Sequence, residues 1–283
     1  MLSSKHYLSA ALLAGLAVSL LALGGADTAV AQDQPKPIRA LLVIGGCCHD
    51  YAKQKKILTE GISARANVQW SISYDPDDGT KHLNPVYING EWAKNFDVVV
   101  HDECCSDVKD KDLINRILEP HRQGLPAVVL HCGIHSYRSE PYPKVTPWFE
   151  FTGLQSTGHG PQVPIAITFT GKDHPITKGM TDWTTIKEEL YNNSANKLLE
   201  TATPLASGKQ TYKDKDKEIT KEYIVAWTNM YKEKTRVFAT TLGHNNDTVN
   251  DARYLDFVAR GLLWSVNKLE DAYLKPAKKV LLD

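Results

Sequence analysis

The sequence predicts an α/β domain built on a mostly parallel sheet with helices on both faces and an antiparallel extension in its second half. Three observations carry this. Short apolar runs alternate with helix-like stretches in the first half, as β-α-β units do. The first of those runs, Ile38–Ile44, is nearly continuous rather than alternating, as expected of a strand covered on both faces. From Pro164 onward, strand-like runs follow one another directly, which suits antiparallel or mixed pairing.

The chain begins with a segment set apart from the fold. Lys5 and His6 precede an apolar stretch from Leu8 to Leu23, and Ala29-Val30-Ala31 supplies small residues for cleavage before Gln32. Residues 1–31 therefore read as a signal peptide. Ser9, Gly15, Ser19 and Gly24 interrupt the stretch, which is short for a membrane span. No cysteine stands at the cleavage point to take a lipid. The expected product is periplasmic or secreted and free of the membrane.

Residues 32–37 form a polar linker, and the α/β domain is expected over 38–266. Ile38–Ile44 reads as the first strand, ending in Gly45-Gly46. Tyr51–Ala64 follows as a helix, Val68–Tyr74 as a strand, Phe96–Val100 as the third strand, Asp107–Gly124 as a helix and Pro126–Leu130 as the fourth strand. Pro164–Thr170, Ile186–Tyr191, Leu198–Ala206, Glu222–Trp227 and Arg236–Thr241 complete the strands. Lys213–Lys217 is a charged hairpin tip. Val249–Val266 carries Tyr254, Phe257, Val258, Leu262 and Trp264 at helical spacing and should pack on the sheet. The tail, 267–283, has little pattern.

Composition excludes some partners. Lys+Arg and Asp+Glu are both 33, so no basic surplus exists to bind a nucleic-acid backbone. Five cysteines, two adjacent pairs (Cys47-Cys48 and Cys104-Cys105) and Cys132, do not make the spaced framework of a small secreted scaffold. A link between the two pairs requires their loops to meet.

Three strands are expected to run into loops rich in reactive side chains: Gly45–Asp50, His101–Cys105 and His131–His135. In an open parallel sheet, strand carboxyl ends share one edge, so these loops can converge where ligands bind. His and carboxylate groups there can hold a metal or carry protons. His49 and His131 are the leading candidates, with Glu103 beside them. His82 and His121 sit in ordinary loop or helix surface contexts. Downstream, His159, Glu189 and His244 join the set. Gly243 beside His244 signals close backbone approach or an unusual dihedral angle, and His174 reads as a turn cap. Cys132 before Gly133 resembles a strand-to-helix turn that presents a nucleophilic thiol, with His135 or His244 as base. A Cys-His amidotransferase, however, places its Cys two before the Gly, where this chain has His131. Gly45-Gly46 lacks the further glycine and the Lys-Ser/Thr pair of a phosphate loop, and no nucleotide cofactor is expected.

The run His174-Pro175-Ile176-Thr177-x-Gly179, then Glu189-x-Tyr191, Trp227, Arg236–His244 and Gly261-Leu262-Leu263-Trp264 resembles the ThuA-like (trehalose utilisation) family over Ile38–Val266. The resemblance implies a flavodoxin-like fold of the class I glutamine amidotransferase kind without its nucleophilic cysteine. It further implies sugar metabolism, including chemistry on 3-keto-glycosides. The resulting expectation is a small carbohydrate substrate handled by His131, His244, Glu103 and Glu189. His49, His159 and Trp227 would contact substrate, and a divalent metal would sit on His49, His131 and His244. The competing readings are a non-catalytic carbohydrate-binding protein and a thiol hydrolase using Cys132.

Overall fold

The computed structural model describes residues 35–141, 144–193 and 197–275. The leader, the first half of the linker and the tail beyond Lys275 lie outside these residues. The strands are β1 (Ile38–Gly46), β2 (Val68–Asp75), β3 (Val98–Cys104), β4 (Ala127–Leu130), β5 (His159–Phe169), β6 (Trp183–Tyr191), β7 (Ala202–Asp214), β8 (Lys217–Tyr231) and β9 (Thr235–Thr240). The helices are α1 (Tyr51–Ser63), α2 (Lys111–Arg122), α3 (Pro147–Thr152), α4 (Asn246–Val249) and α5 (Ala252–Ser265).

All nine strands join one sheet in the order β2-β1-β3-β4-β9-β8-β7-β5-β6. The first five in that order pair in parallel. From β9 to β6 every neighbour is antiparallel. The expected class is therefore present, with β9 as the seam between its two halves. Chain direction reverses there because the β8–β9 link, Lys232–Lys234, is too short for a crossover helix.

Both faces of the parallel half are covered. α1 and α5 pack on one side with Leu42, Ile44, Leu58, Phe238 and Leu262. On the other, α2 and α3 enclose Val43, Val99, Ile117, Trp148 and Trp227. α5 approaches β9 closely because its Gly261 faces the Phe238 ring; a Cβ there would lie 2.3 Å from a ring carbon.

Several boundaries differ from expectation. Strand β3 continues through Cys104, so His101–Cys104 is not loop but pleated chain with side chains on alternating faces. Helix α2 starts at Lys111, where the Asp110 carboxylate accepts the amides of Asp112 and Leu113. The last helical stretch divides at Asn250-Asp251, and Asp251 caps α5. Strands β7 and β8 extend to a tip at Lys215-Asp216, pairing from Ala202↔Asn229 to Asp214↔Lys217. The tail is tied down as far as it is described: Ala66 pairs with Leu274, and the Lys275 amide donates to the Arg65 carbonyl at 2.8 Å.

Gly261→Ala tests the α5–β9 contact. Overpacking against Phe238 is expected to lower unfolding stability by about 1–3 kcal/mol. A thermal midpoint equal to the parent's would show that the ring moves aside freely.

Candidate active site at the carboxyl edge

The carboxyl ends of β1, β4 and β9 place His49, His131 and His244 together, and β6 adds Glu189. One ligand atom from each of these four lies within 4.8 Å of all the others. Glu189 comes from the far end of the sheet order, yet its Oε2 stands 3.7 Å from His131 Nε2. The antiparallel extension therefore curls back over the edge of the parallel half.

Each side chain is aimed by its local backbone. His131 follows the last residue of β4 and adopts φ of 38°, a left-handed conformation unusual for a side-chain-bearing residue and costing on the order of 1–3 kcal/mol. Its Nδ1 contacts the Thr241 carbonyl at 2.7 Å, and the carbonyl can only accept, so Nδ1 carries the proton. His49 is oriented the same way, its Nδ1 lying 3.0 Å from the Cys47 carbonyl. His244 is carried by a turn that Glu188 fastens, accepting from the His244 and Asn245 amides at 3.2 and 3.1 Å. Gln54 on α1 donates to the carbonyls of Gly243 and His244. Gly243 has φ of 130°, and a Cβ there would come within 2.9 Å of the Tyr254 hydroxyl and 3.4 Å of His131 Cβ. Both close approach and unusual dihedral are thus present.

With both Nδ1 atoms protonated, each neutral ring turns a lone pair outward on Nε2. The two Nε2 atoms face each other at 2.9 Å. Two lone pairs at that distance repel unless a proton or a cation lies between them. Burial lowers the His49 pKa to about 4, reinforced by His244. Burial, then the neighbouring His49, holds His131 well below the ordinary imidazole value. The donor set, two imidazole lone pairs and the Glu189 carboxylate, is of the kind that can hold a divalent transition ion.

His244 differs from the other two rings. Burial opposes its charge, but the Glu189 carboxylate, with Glu188 behind it, outweighs burial and raises its pKa. Its Nδ1 lies 3.3 Å from Glu189 Oε2, an ion-pair distance that is off-line for a hydrogen bond. Burial alone would raise Glu189; His244, His159 and the Gln162 amide reverse this and hold it ionised. His159 stands half open at the rim, Nδ1 3.7 Å from Glu189 Oε1. A cleft of about 160 Å³ adjoins it, lined among others by Leu190, Asn192, Tyr212, Lys221 and Tyr223. A wider depression of about 740 Å³ lies at the opposite end of the strands, around Ile38, Arg39 and Asp97, and shares no residue with this cluster.

Two sequence candidates lie elsewhere. Glu103 is fully buried on the α2–α3 face, accepting from Tyr87 and Tyr137 hydroxyls at 2.7 and 3.0 Å beside His101. The pleat of β3 accounts for this, since it sends His101 and Glu103 one way and Asp102 and Cys104 the other. Trp227 is wholly enclosed, its indole N–H donating to the Thr152 carbonyl, and offers no face to a sugar. His82 and His121 are not surface residues. His121 is buried against His101 with its pKa lowered to about 3, first by burial and then by that neighbour. His82 contacts Asp75 at 2.6 Å. His174 accepts the Ile176 amide, as a turn cap does. Cys132 is bonded to Cys104, so its sulfur is no nucleophile in this state.

Other neighbours are not assigned to this site by the sequence, where His135 reads only as a possible base for Cys132 and Tyr191 only as part of the Glu189-x-Tyr191 motif. Tyr191 places its hydroxyl 3.1 Å from His131 Nε2, and His135 stacks on the Tyr191 ring at 3.8 Å. Tyr191 follows Glu189 by two residues on a strand, so a shared face was legible. Gln162 contacts Glu189 and His244 but has no such signal. Asp102 is buried, with its pKa raised well above the usual carboxylate range by burial and then by Glu103.

The fold and site define the class of protein: an open α/β sheet with a sharp turn after β4 and histidines converging at its carboxyl edge. The chain belongs to the ThuA family, described as trehalose utilisation, whose model matches residues 39–265. That membership associates it with carbohydrate utilisation. Among solved structures it is similar to a ThuA-like protein from Parabacteroides merdae, 20% identical with a TM-score of 0.59 over 87% of this chain and 93% of that one. A ThuA-like protein from Bacteroides uniformis is 14% identical with a TM-score of 0.57, covering 82% and 93% respectively. A search of curated proteins found no match.

Histidine titration by NMR checks the electrostatics in metal-free protein. His49 and His131 are expected to stay neutral at pH 6, and His244 to titrate above the usual imidazole value. Glu189→Gln should bring His244 down, and an unchanged His244 would remove Glu189 as the cause.

Proposed function

We propose that this protein catalyses proton transfer on a keto-sugar, of the 3-keto-glycoside class, at a divalent metal held by His49, His131 and Glu189. The observation that carries the reading is the facing pair of Nε2 lone pairs, closed by a carboxylate at the edge where this fold binds ligands. A bound metal would supply Lewis acidity to the ketone oxygen and the enolate that develops from it. His131 and His49 enter as neutral donors, their Nδ1–H groups already satisfied by backbone carbonyls and their Nε2 lone pairs free. His244, the more exposed ring and the one biased towards its charged form, is the proton carrier in place of a third imidazole ligand. A ketone acidifies the adjacent C–H, so one such carrier serves either elimination or isomerisation. The cleft beside His159, with its tyrosines and Lys221, is of a size for a small polar ring. Glu103 and Trp227 have no part in this reading.

Export belongs to the same proposal: cleavage after Ala31 would release a chain starting at Gln32. Among the described residues no helix is long and apolar enough to cross a membrane. Edman sequencing of protein recovered from the periplasm or medium is expected to begin at Gln32, and an intact leader on that protein would sink the idea.

The reaction class can be tested without knowing the product. Metal analysis should find about one divalent ion per chain, lost in His131→Ala. Incubation of a 3-keto-glucoside in D₂O should show enzyme-dependent deuterium uptake at the carbon next to the ketone. His244→Ala should slow that uptake by about 10²–10⁴-fold. Saturable binding of the ketone with no uptake above buffer would instead establish the non-catalytic carbohydrate-binding reading.

A further inference from the structure

Beside the imidazole cluster lies a feature that this chemistry does not use. Four of the five cysteines meet at the carboxyl edge: Cys47 is bonded to Cys48, Cys104 is bonded to Cys132, and Cys47 Sγ lies 3.6 Å from Cys104 Sγ across the two bridges. Cys105 faces away, 3.4 Å from His82 Nε2.

We propose that in the reduced chain Cys47, Cys104 and Cys132 form a second metal site, a thiolate site for a thiophilic cation of the zinc or monovalent copper class. The convergence depends on two glycines. A Cβ on Gly46 would lie 2.5 Å from the Cys104 carbonyl oxygen, and one on Gly133 would lie 2.8 Å from the His101 carbonyl oxygen. Without side chains at these points the β1 and β4 turns can close on the end of β3.

The spacing fits a metal. Two thiolates on one tetrahedral zinc, each about 2.3 Å from it, stand roughly 3.8 Å apart. The unbridged Cys47–Cys104 pair has that separation already. As a staple, moreover, the Cys47–Cys48 bond does little, because it joins adjacent residues and closes no loop of the unfolded chain. Entropic cross-linking therefore does not explain why two sulfurs stand at this turn.

The chemistry balances in simple terms. Reducing both bridges takes four electrons and four protons and yields four thiols; two phosphine molecules supply the electrons and end as oxides, while two waters supply the protons and the oxide oxygens. Binding the cation then breaks the S–H bonds of the three ligating thiols, whose protons pass to solvent. In the oxidised chain the lone pairs remain but thiolate charge is gone, and soft-metal affinity goes with it.

Cobalt(II) is the probe, because thiolate ligation gives a near-ultraviolet charge-transfer band that imidazole and carboxylate ligation do not. Full-length mature protein, reduced with a phosphine under argon and checked for native fold by circular dichroism, should develop the band and saturate near one equivalent per chain. Cadmium(II) should displace the cobalt. Cys47→Ser, at a half-buried position that the fold tolerates more readily than Cys104→Ser, should lose at least 10-fold in affinity. His131→Ala, which disables the imidazole site, should keep the band, so failure of one site is separable from failure of the other. Absence of the band in reduced wild type, its survival in Cys47→Ser, its appearance in oxidised protein, or loss of the native fold on reduction would each overturn the proposal.

Discussion

The pairing of β4 with β9 is the constraint on which the site depends. It sets Leu130 beside Thr240, so the residues that follow, His131 and Thr241, leave the sheet together. The Thr241 carbonyl then accepts a hydrogen bond from His131 Nδ1–H and fixes the direction of the ring's other nitrogen. Were β9 paired one residue out of register, its side chains would exchange faces and Phe238 would leave the core that α5 covers. The same strand is the seam between parallel and antiparallel halves, so one ladder of hydrogen bonds both aims the central imidazole and lets β6 return with Glu189.

Much of the parallel half was legible because its signals are local. Continuous apolar runs announced β1, β3 and β4, and the loops after β1, β4 and β9 held the three histidines that do converge. The carboxylate was harder. Glu103 comes soon after the apolar run Val98–Val100, and nothing local reveals that β3 runs on through Cys104 and turns Glu103 inward. Glu189 meets His131 only because the extension curls, a property of the whole sheet. His121 illustrates the same limit: on a helix it reads as surface, yet it fills a buried gap against His101 because α2 packs that face inward.

The polar groups of the site divide by what holds them. His49 and His131 have one nitrogen each satisfied by backbone and are left neutral by burial; their freedom is in a lone pair. His244 and Glu189 oppose each other's neutral states and remain a charged couple close to solvent. Such a separation of environments within a few ångströms lets one cluster offer both a fixed electron-donor surface and a mobile proton. The neighbouring sulfurs extend the same edge from hard and borderline donors to soft ones.

The donors of the imidazole cluster are spread from His49 to His244, across almost the entire domain. A ribosome must have delivered β9 before the cluster has a centre, and a chain threaded through a membrane in extended form carries no centre at all. An ion bound by such a cluster would therefore be taken from the compartment where folding finishes, and the composition of that compartment, rather than affinity alone, would decide its identity.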